Sequence, residues 1–451
     1  MPEHRTPDHR TPEHPTMNDS GEPARVTRRR FAASLTGLAG AAALGPGATL
    51  LSGEPPPACD LPAPIRRLEP MTAGAVPIGD EERRARVSRA QRLMTEQGLG
   101  AVLIEPGTTM VYYTGVSWWP SERTFALVIP ARGEPGWICP AFEEARAREL
   151  IGSGDDVRTW QEDESPFRLI AGLLRDRGAA TGRVGVEEEV RFFIVDGLRK
   201  EAASAELVSA TPVTAGCRMY KSAAELALMQ RASDMTIAAF KAAFATLREG
   251  MTQYDLQNNM LAALRQVGGD DPWALVGLGK SSAFPHGSVQ PQKLKAGDIV
   301  LLDSGCALHG YQSDITRTTV FGKPTTRQTD IWNLERRAQD AAFAAARIGA
   351  FCEAVDAAAR KVITDAGFGP DYRVPGLPHR TGHGIGMDGH ERPYIVRGNT
   401  MPIAPGMCFS DEPTIAIYGE FGIRLEDCIF MTEEGPRFFS AQSAAIDRPF
   451  G

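Results

Sequence analysis

The sequence predicts an α+β protein in which an α/β domain precedes a domain built from a duplicated helix–helix–strand unit. Two observations support this class. Helix-type and strand-type segments alternate from residue 80 to about residue 211, and a pattern of two helices, strands and an acid then occurs twice. The 451 residues are enough for two ordinary domains. We assign residues 1–78 to a leader and linker, 79–215 to the first domain and 216–451 to the second.

Composition excludes some function classes. A formal net charge of -7 argues against a protein that binds nucleic acid by general electrostatics. The 7 cysteines are scattered, and their odd number argues against a complete disulfide framework. Cys306 and Cys428 stand near candidate acidic ligands, but buried free thiols are the favoured interpretation because thiolates and carboxylates suit different metals.

The N-terminal residues are assigned to export rather than to the fold. Thr27-Arg28-Arg29-Arg30-Phe31 precedes an apolar stretch to about Leu44, which resembles a twin-arginine signal. That stretch is too short for a membrane span, so no stable span is expected. A Pro/Gly-rich linker follows to about Ile78, and Met17 is an alternative start. We expect a periplasmic or extracellular protein; a basic disordered tail is the alternative.

The first domain is expected to contain six strands and four helices. Asp80 is expected to cap a helix that runs to Gln97 and ends at Gly98. The predicted strands cover residues 101–104, 110–113, 125–129, 137–139, 184–187 and 206–208, and the other helices cover 141–150, 167–175 and 192–203. Residues 212–217 are expected to link the domains. No motif in this domain indicates chemistry.

The second domain shows an internal repeat. Ser222-Ala-Ala-Glu225 is a capping box before a helix that reaches about residue 248, and a matching helix is expected over 328–348. The second helix of each copy lies between glycines with identical spacing, Gly250 and Gly268 in one copy and Gly349 and Gly367 in the other.

Each copy then delivers acids from strand-type segments. Gly-Asp-Ile-Val-Leu-Leu-Asp ends at Asp303, and Gly-Met-Cys-Phe-Ser-Asp-Glu ends at Glu412. A second acid follows in each copy, Asp314 and Glu426. Clustering four carboxylates in a partly dry site is costly unless cations neutralise them. With His383 nearby, the pattern predicts a two-metal site.

Histidines gather in a glycine-rich stretch between the second pair of helices and the second acidic strand. His379, His383 and His390 fall within twelve residues. Glycines at 382, 384 and 386 are unfavourable in a helix, so a zinc-protease His-Glu-x-x-His helix is excluded. A core imidazole bonded to backbone is the alternative for a lone histidine, but three histidines favour a site.

The ordered motifs resemble one enzyme family. They are Phe284-Pro-His-Gly287, Asp303-Ser-Gly305, Ser313-Asp-Ile-Thr-Arg317, His379-Arg-Thr-Gly-His-Gly-Ile-Gly386, Asp411-Glu-Pro413 and Gly422-Ile-Arg-Leu-Glu-Asp427. Residues from about 218 to 432 resemble pita-bread fold metallopeptidases of the creatinase, aminopeptidase P and prolidase type, and the preceding domain resembles the creatinase-type N-terminal domain. Bacterial Xaa-Pro dipeptidases and Xaa-Pro aminopeptidases are the most similar members.

The resemblance implies a dinuclear hydrolase. The family ligands fall on Asp303, Asp314, His383, Glu412 and Glu426. Asp303 would hold one ion, His383 and Glu412 the other, and Asp314 and Glu426 would bridge. Two divalent ions are implied, with Mn²⁺ favoured over Co²⁺ and Zn²⁺ for an oxygen-rich set. A metal-bridging hydroxide would attack the carbonyl before proline, and Glu412 would carry the proton to the leaving nitrogen.

Outer residues and partners also follow from the resemblance. His390 would donate to the oxygen of the tetrahedral intermediate. His286, His379 and Arg424 match positions around the proline end of the substrate. Arg424 would pair with the substrate carboxylate or, alternatively, with Asp427 or another acid of the site. The substrates would be proline-containing dipeptides or short peptides, and the protein a homodimer or homotetramer in which the loop over residues 117–123 is a candidate lid.

Several functions remain open from the residues. Dipeptidase activity is slightly favoured over aminopeptidase activity. The alternatives are a non-peptidase hydrolase or lyase of the same fold, such as a creatinase-like or sulfonium-lyase enzyme, and a metal-free peptide-binding module. Five intact ligands argue against the last of these and against the creatinase-type branch.

Overall fold

A mixed six-stranded sheet with helices on both faces forms the first domain. The structure is a computed structural model, and it describes residues 61–152 and 156–450. The sheet order is β4-β3-β2-β1-β5-β6, with β2 antiparallel to β1 and β3 and the other pairs parallel. α1 (Ala63–Arg66) precedes this domain, whose elements are α2 (Asp80–Gln97), β1 (Leu99–Ile104), α3 (Thr108–Thr114), β2 (Ala126–Pro130), β3 (Gly136–Pro140), α4 (Glu144–Ile151), β4 (Asp156–Trp160), α5 (Pro166–Asp176), β5 (Gly182–Val186), α6 (Phe192–Glu201), β6 (Ala205–Ser209) and α7 (Thr211–Arg218).

Three local predictions for this domain are wrong. Residues 110–113, predicted as a strand, lie in α3, which ends at Gly115 with a φ of 77°. A short apolar run has no clear hydrophobic period, so packing decides whether it forms a strand or a helix. Residues 212–217, predicted as a link, lie in α7. Pro212 is in the first turn of this helix, where the missing N–H of proline costs no intrahelical hydrogen bond. Asp80 is the first residue of α2 and not its cap; its carboxylate pairs with Arg83 at 2.9 Å.

The segment before α2 packs on the second domain. Ile65 of α1 is fully buried in the core formed with α8 and α9. The Met71 N–H donates to the Val267 carbonyl at 2.8 Å, and Arg231 donates to the Met71 carbonyl at 2.9 Å. Residues 61–78, assigned to the linker, are therefore attached to the second domain by burial and hydrogen bonds. The export signal predicted at 27–44 lies outside the described residues.

The second domain contains four long helices and small antiparallel sheets. One sheet has the order β10-β8-β7 with β9 on β8, another has the order β12-β11-β13-β16-β17, and β14 pairs with β15. The elements are α8 (Ala223–Phe244), α9 (Gln253–Gln266), β7 (Asp270–Leu278), β8 (Ile299–Leu308), β9 (Tyr311–Gln312), β10 (Ile315–Val320), α10 (Thr326–Ala345), α11 (Cys352–Asp365), β11 (Gly382–Gly384), β12 (Glu391–Ile395), β13 (Cys408–Asp411), β14 (Thr414–Ile417), β15 (Phe421–Arg424), β16 (Asp427–Thr432) and β17 (Gly435–Phe438).

The predicted duplication is visible in the backbone. α9 and α11 have 14 residues each. The glycines before them have φ of 83° and 82°, and the glycines after them 89° and 90°, values that favour glycine in every case. The predicted capping box at Ser222 and Glu225 is present. α8 and α9 cover the first sheet, and α10 and α11 cover the second. The α+β class is thus confirmed.

Candidate metal centre

Five predicted ligands lie at the junction of the two sheets. Asp303 lies within β8, and Asp314 directly precedes β10. Glu412 directly follows β13, and Glu426 directly precedes β16. His383 is the middle residue of the short strand β11, so the exclusion of a helix here is confirmed. A bridge between Thr316 and Glu426 joins the two sheets at this point and brings the four acids to one place.

The five side chains are close enough to share cations. Oxygen atoms of Asp303, Asp314 and Glu426 lie within 4.8 Å of one another, and so do ligand atoms of His383, Glu412 and Glu426. His383 Nε2 is 3.1 Å from Glu412 Oε1 and 3.7 Å from Asp314 Oδ2. Ligand atoms of Asp314, His383 and His390 form a third such group. The two groups that share Glu426 are the arrangement expected for a pair of ions.

The electrostatics of the site require positive charge. Burial, followed by repulsion from neighbouring carboxylates, raises the pKa of Asp314 and of Glu426 well above the ordinary values. Burial also raises the pKa of Asp303 despite the nearby Arg424. Although burial opposes ionisation of Glu412, the charge and hydrogen bond of His383 lower its pKa well below the usual range. Divalent cations would keep all four acids ionised.

Hydrogen bonds leave the ligand atoms available. His383 Nδ1 donates to the Gly384 carbonyl at 3.0 Å, which directs Nε2 towards the acids. One oxygen of Asp303, Oδ1, is buried and has no hydrogen-bond partner among the described residues. Four carboxylates and one imidazole suit Mn²⁺, Co²⁺ or Zn²⁺. The residues therefore fit a divalent metal site.

The cysteines within residues 61–152 and 156–450 take no part in the ligand groups. The six cysteines of the described residues are buried and free, as expected. Cys428 Sγ is 3.2 Å from the Asp314 carbonyl oxygen, and burial and the nearby acids raise the pKa of its thiol well above the usual value. Burial likewise raises the pKa of Cys306. Both are therefore protonated thiols, which are poor metal ligands.

Arg424 contacts a candidate ligand. Its Nη2 donates to Asp303 Oδ2 at 2.5 Å, its Nε to Thr316 Oγ1 at 3.0 Å and its Nη1 to the Pro285 carbonyl at 3.0 Å. Each nitrogen of the guanidinium thus has an acceptor within the protein. Of the two interpretations of Arg424, these contacts match an ion pair with an acid of the site. That acid is Asp303, whereas Asp427 pairs with Arg317 at 2.7 Å.

The three outer histidines differ in exposure. His390 is exposed, and its ring lies 3.7 Å from the His383 ring between centroids. Partial desolvation of the ring by surrounding protein atoms, with the charge of His383, lowers the pKa of His390 to about 4. His379 is half-buried; its Nδ1 donates to the Arg380 carbonyl at 2.7 Å, and its Nε2 is 3.1 Å from Thr414 Oγ1. His286 is exposed on the turn after Pro285.

Two hydroxyl residues that the sequence did not assign support the ligands. Thr316 Oγ1 donates to Glu426 Oε2 at 2.6 Å. Ser410 Oγ accepts the His383 N–H at 2.9 Å and donates to Glu412 Oε1 at 3.1 Å. Thr316 and Ser410 lie on strands, two positions from Asp314 and Glu412, the acids that directly flank those strands, and that spacing was the available signal.

The chain is similar to known proteins over most of its length. The model of metallopeptidase family M24 matches residues 227–433, and that of the creatinase/prolidase N-terminal domain matches 86–220. An Xaa-Pro dipeptidase of Lactobacillus delbrueckii subsp. lactis is 33% identical over 370 residues, which are 80% of this chain and 98% of that protein.

Solved structures give the same result. The dipeptidase PepE from Mycobacterium ulcerans has a TM-score of 0.77 and 34% identity, covering 82% of this chain and 99% of its own. A prolidase from Thermococcus sibiricus has a TM-score of 0.72 and 28% identity, with 79% and 96% covered. The similarity spans both domains.

Proposed function

Because the chain belongs to metallopeptidase family M24 and is an enzyme of that family, we propose that it hydrolyses the peptide bond preceding proline in Xaa-Pro dipeptides or short peptides. The convergence of Asp303, Asp314, His383, Glu412 and Glu426 on one centre is the observation that supports hydrolysis. The relatives named Xaa-Pro dipeptidase and prolidase support the choice of substrate.

We propose two divalent ions, with Mn²⁺ as the native metal. Asp303, Asp314 and Glu426 would hold one ion, and His383, Glu412 and Glu426 the other, with Asp314 within reach of both groups. When bound, the ions would supply Lewis-acid polarisation of the scissile carbonyl and a nucleophilic hydroxide near neutral pH.

Glu412 is the proposed proton carrier. The Ser410 hydroxyl donates to Glu412 Oε1 at 3.1 Å and orients the carboxylate, which bound cations would keep ionised. An ionised, oriented carboxylate can accept the proton of the attacking water. The same group then delivers that proton to the proline nitrogen, which leaves as a secondary amine.

His390 is the proposed donor to the substrate oxygen. Its low pKa keeps the imidazole neutral at pH 7. Arg380 Nη2 lies 3.3 Å from His390 Nδ1, and since a guanidinium only donates, Nδ1 accepts. The ring proton is therefore on Nε2, from which it can donate to the oxyanion of the tetrahedral intermediate.

The remaining outer residues would bind the proline end. We propose that His286, exposed beside the site, and His379 contact this end of the substrate. For Arg424 we propose an indirect role: it fixes Asp303 and, through the Pro285 carbonyl, the turn that carries His286. Its guanidinium would then orient the binding residues without direct contact with the substrate carboxylate.

The test compares the variant Glu412→Ala with a control variant in which an acid on the neighbouring hairpin is replaced. Glu420 is exposed and pairs with Arg327 at 2.7 Å, so Glu420→Gln serves as the control. We expect Glu412→Ala to abolish hydrolysis of Gly-Pro and Ala-Pro with the fold intact, and Glu420→Gln to retain activity. Retained activity in Glu412→Ala would contradict the proposed role of this residue.

Substrate length separates the two peptidase subclasses. The purified enzyme with Mn²⁺ is assayed on Ala-Pro and on longer peptides with proline second. We propose a dipeptidase, so the dipeptide should be the better substrate by kcat/KM. A preference for the longer peptides would indicate an aminopeptidase, and no hydrolysis of either would contradict the proposed function.

We also propose export by the twin-arginine route and assembly as a homodimer or homotetramer. Among the described residues, no helix has the length and apolar content to cross a membrane. A reporter fused after Leu68 should reach the periplasm, and Arg28→Lys with Arg29→Lys should prevent this.

In the candidate lid loop, Trp118 stacks on Phe125 with 4.1 Å between ring centroids, whereas Trp119 is exposed and available to a neighbouring subunit.

A further inference from the structure

The turn that carries His390 is held from the other domain. Residues 385–390 connect β11 to β12, and His390 is the last residue of this turn. The exposed His390 side chain contacts the His383 ring and Arg380, and the backbone of the turn sets where the ring meets them. Met387 of the same turn packs against the cores of both domains. The turn therefore lies at the domain boundary.

Asp388 is the residue through which the first domain reaches this turn. Thr108 Oγ1, at the first position of α3, donates to Asp388 Oδ1 at 2.5 Å. Arg218, the last residue of α7, pairs with the other oxygen of Asp388. The other terminal nitrogen of Arg218, Nη1, donates to Thr109 Oγ1 at 3.2 Å. Both carboxylate oxygens of Asp388 are thus bound by residues of the first domain.

A second acid extends these contacts to the start of β12. Glu391 accepts from Arg218 at 2.6 Å and from Lys221 at 2.5 Å. The Lys221 side chain is only 1% exposed, which makes this a buried ion pair. A Cβ added at Gly386 would lie 2.6 Å from Glu391 Oε1 and 2.8 Å from Lys221 Cε, so the turn packs tightly on the pair.

We name Thr108, Arg218, Lys221, Asp388 and Glu391 the interdomain clamp. Its two acids and two bases balance in charge, and each acid binds two donors. Two donors on each carboxylate favour one geometry, most strongly at the buried Lys221–Glu391 pair, whereas the Asp388 side chain is 32% exposed and is held by its two donors. The clamp residues flank His390 on both sides, at positions 388 and 391.

We infer that the first domain positions His390 through this clamp, with Thr108 as the positioning residue that acts through Asp388. The kinetic part of this inference rests on the proposed function, in which His390 donates to the substrate oxygen. A displacement of a catalytic group by about 1 Å can cost up to about 10²-fold in rate. Loss of one hydroxyl contact should therefore reduce kcat and leave the metal ligands in place.

The test compares Thr108→Val, which removes the hydroxyl at nearly constant volume, with Thr108→Ser, which restores it. We expect Thr108→Val to lower kcat about tenfold with KM within about twofold, because the contact acts on the transition state. Metal content should not change, and Thr108→Ser should recover the activity. An unchanged kcat in Thr108→Val, in an active enzyme, would overturn the inference.

Two controls separate positioning from a general loss of domain contact. Glu188→Gln weakens an exposed ion pair between the same two domains, 3.4 Å from Arg392, and should leave kcat unchanged. In a His390→Ala background, Thr108→Val should cause no further loss, because its effect passes through His390. An additive loss in the double variant would overturn the inference.

Hydrogen exchange tests the clamp independently of substrate. Amides of residues 385–391 should exchange faster in Thr108→Val than in the parent, and Thr108→Ser should restore the parent rate. If the parent enzyme hydrolyses no Xaa-Pro substrate, the proposed function fails and this measurement alone decides the clamp. Equal exchange in the parent and Thr108→Val would then overturn it.

Discussion

The two halves of the catalytic domain share a backbone frame and differ in the connection between their acid-bearing strands. Asp303 and Asp314 are eleven positions apart, joined by β9 and a tight turn at Gly310. Glu412 and Glu426 are fourteen apart, and the β14–β15 hairpin lies between them. The same frame thus carries a short connection in one half and a functional insertion in the other.

That insertion makes the second half responsible for outer contacts. Arg424 lies on β15 and binds Asp303, a ligand from the first half. In return, Thr316 of the first half binds Glu426 of the second. The second half also supplies His383 and His390. Each half therefore orients a candidate ligand of the other.

The largest effect is expected from removing one central acid of either half. Asp314→Asn and Glu426→Gln should each reduce kcat/KM by about 10⁴-fold, because a bound metal supplies several kcal/mol of transition-state stabilisation. Metal content, expected at about two ions per chain in the parent, should fall in both. A loss confined to one variant would show that the halves contribute unequally.

The next effect concerns the buried ion pair that joins the halves. Arg317 binds Asp427 at 2.7 Å and the Glu426 carbonyl at 2.9 Å, and the side chains of Arg317 and Asp427 are each 1% exposed. Arg317→Met should lower the free energy of unfolding by about 3–5 kcal/mol, because Asp427 keeps a buried charge.

The matched control for this stability prediction is an exposed pair. Arg327 and Glu420 lie within the second half and join its first helix to its hairpin, with side chains about half exposed. Arg327→Met should change the free energy of unfolding by about 0–1 kcal/mol. Both variants are measured by urea unfolding; equal changes would mean that burial of the pair does not matter.

A smaller effect is expected from the hydroxyl that links the halves. Thr316→Val removes the donor to Glu426 and the acceptor of Arg424, and should cost about 10–100-fold in metal affinity or activity. Thr318→Val is the control, since Thr318 lies on the same face of β10 but its hydroxyl contacts only the backbone of Arg424. Similar losses in both would indicate a strand defect instead.

The smallest effect is a gain of stability at a buried acid. Glu335 of α10 is 0% exposed, and its two oxygens have no hydrogen-bond partner among the described residues. Burial raises the pKa of Glu335 well above the usual value. Glu335→Leu should therefore raise the free energy of unfolding at pH 7 by about 1–3 kcal/mol.

The pH dependence of that gain has a definite sign. Above the ordinary glutamate pKa of about 4.3 the unfolded chain is ionised while the folded state retains the proton, so the parent loses stability as pH rises. The gain from Glu335→Leu should shrink as pH falls towards about 4, where only the cost of burying the unpaired neutral carboxyl remains. Asp330→Asn, at an exposed position of α10, should change stability by less than about 0.5 kcal/mol at either pH. A pH-independent gain would contradict the assignment.

Much of this architecture was predictable because it depends on local patterns. The glycines at the ends of α9 and α11 have positive φ, and the capping box at Ser222 starts α8 as expected. The convergence of the candidate ligands was predictable because a carboxylate at the end of an apolar strand has few structural reasons to be there. α3 was missed because residues 110–113 are apolar without a period, and their helical conformation depends on packing against α2 and β1.

The sequence by itself determined the two-domain α+β class, the duplication and the identity of the five candidate ligands, because periodicity, glycine positions and acid placement are properties of short segments. Only the tertiary structure decided that Arg424 pairs with Asp303, that Thr316 supports Glu426 and that Asp388 is held by Thr108 and Arg218. These contacts join residues about 100 or more positions apart, and their partners are chosen by where the chain brings charges together out of water.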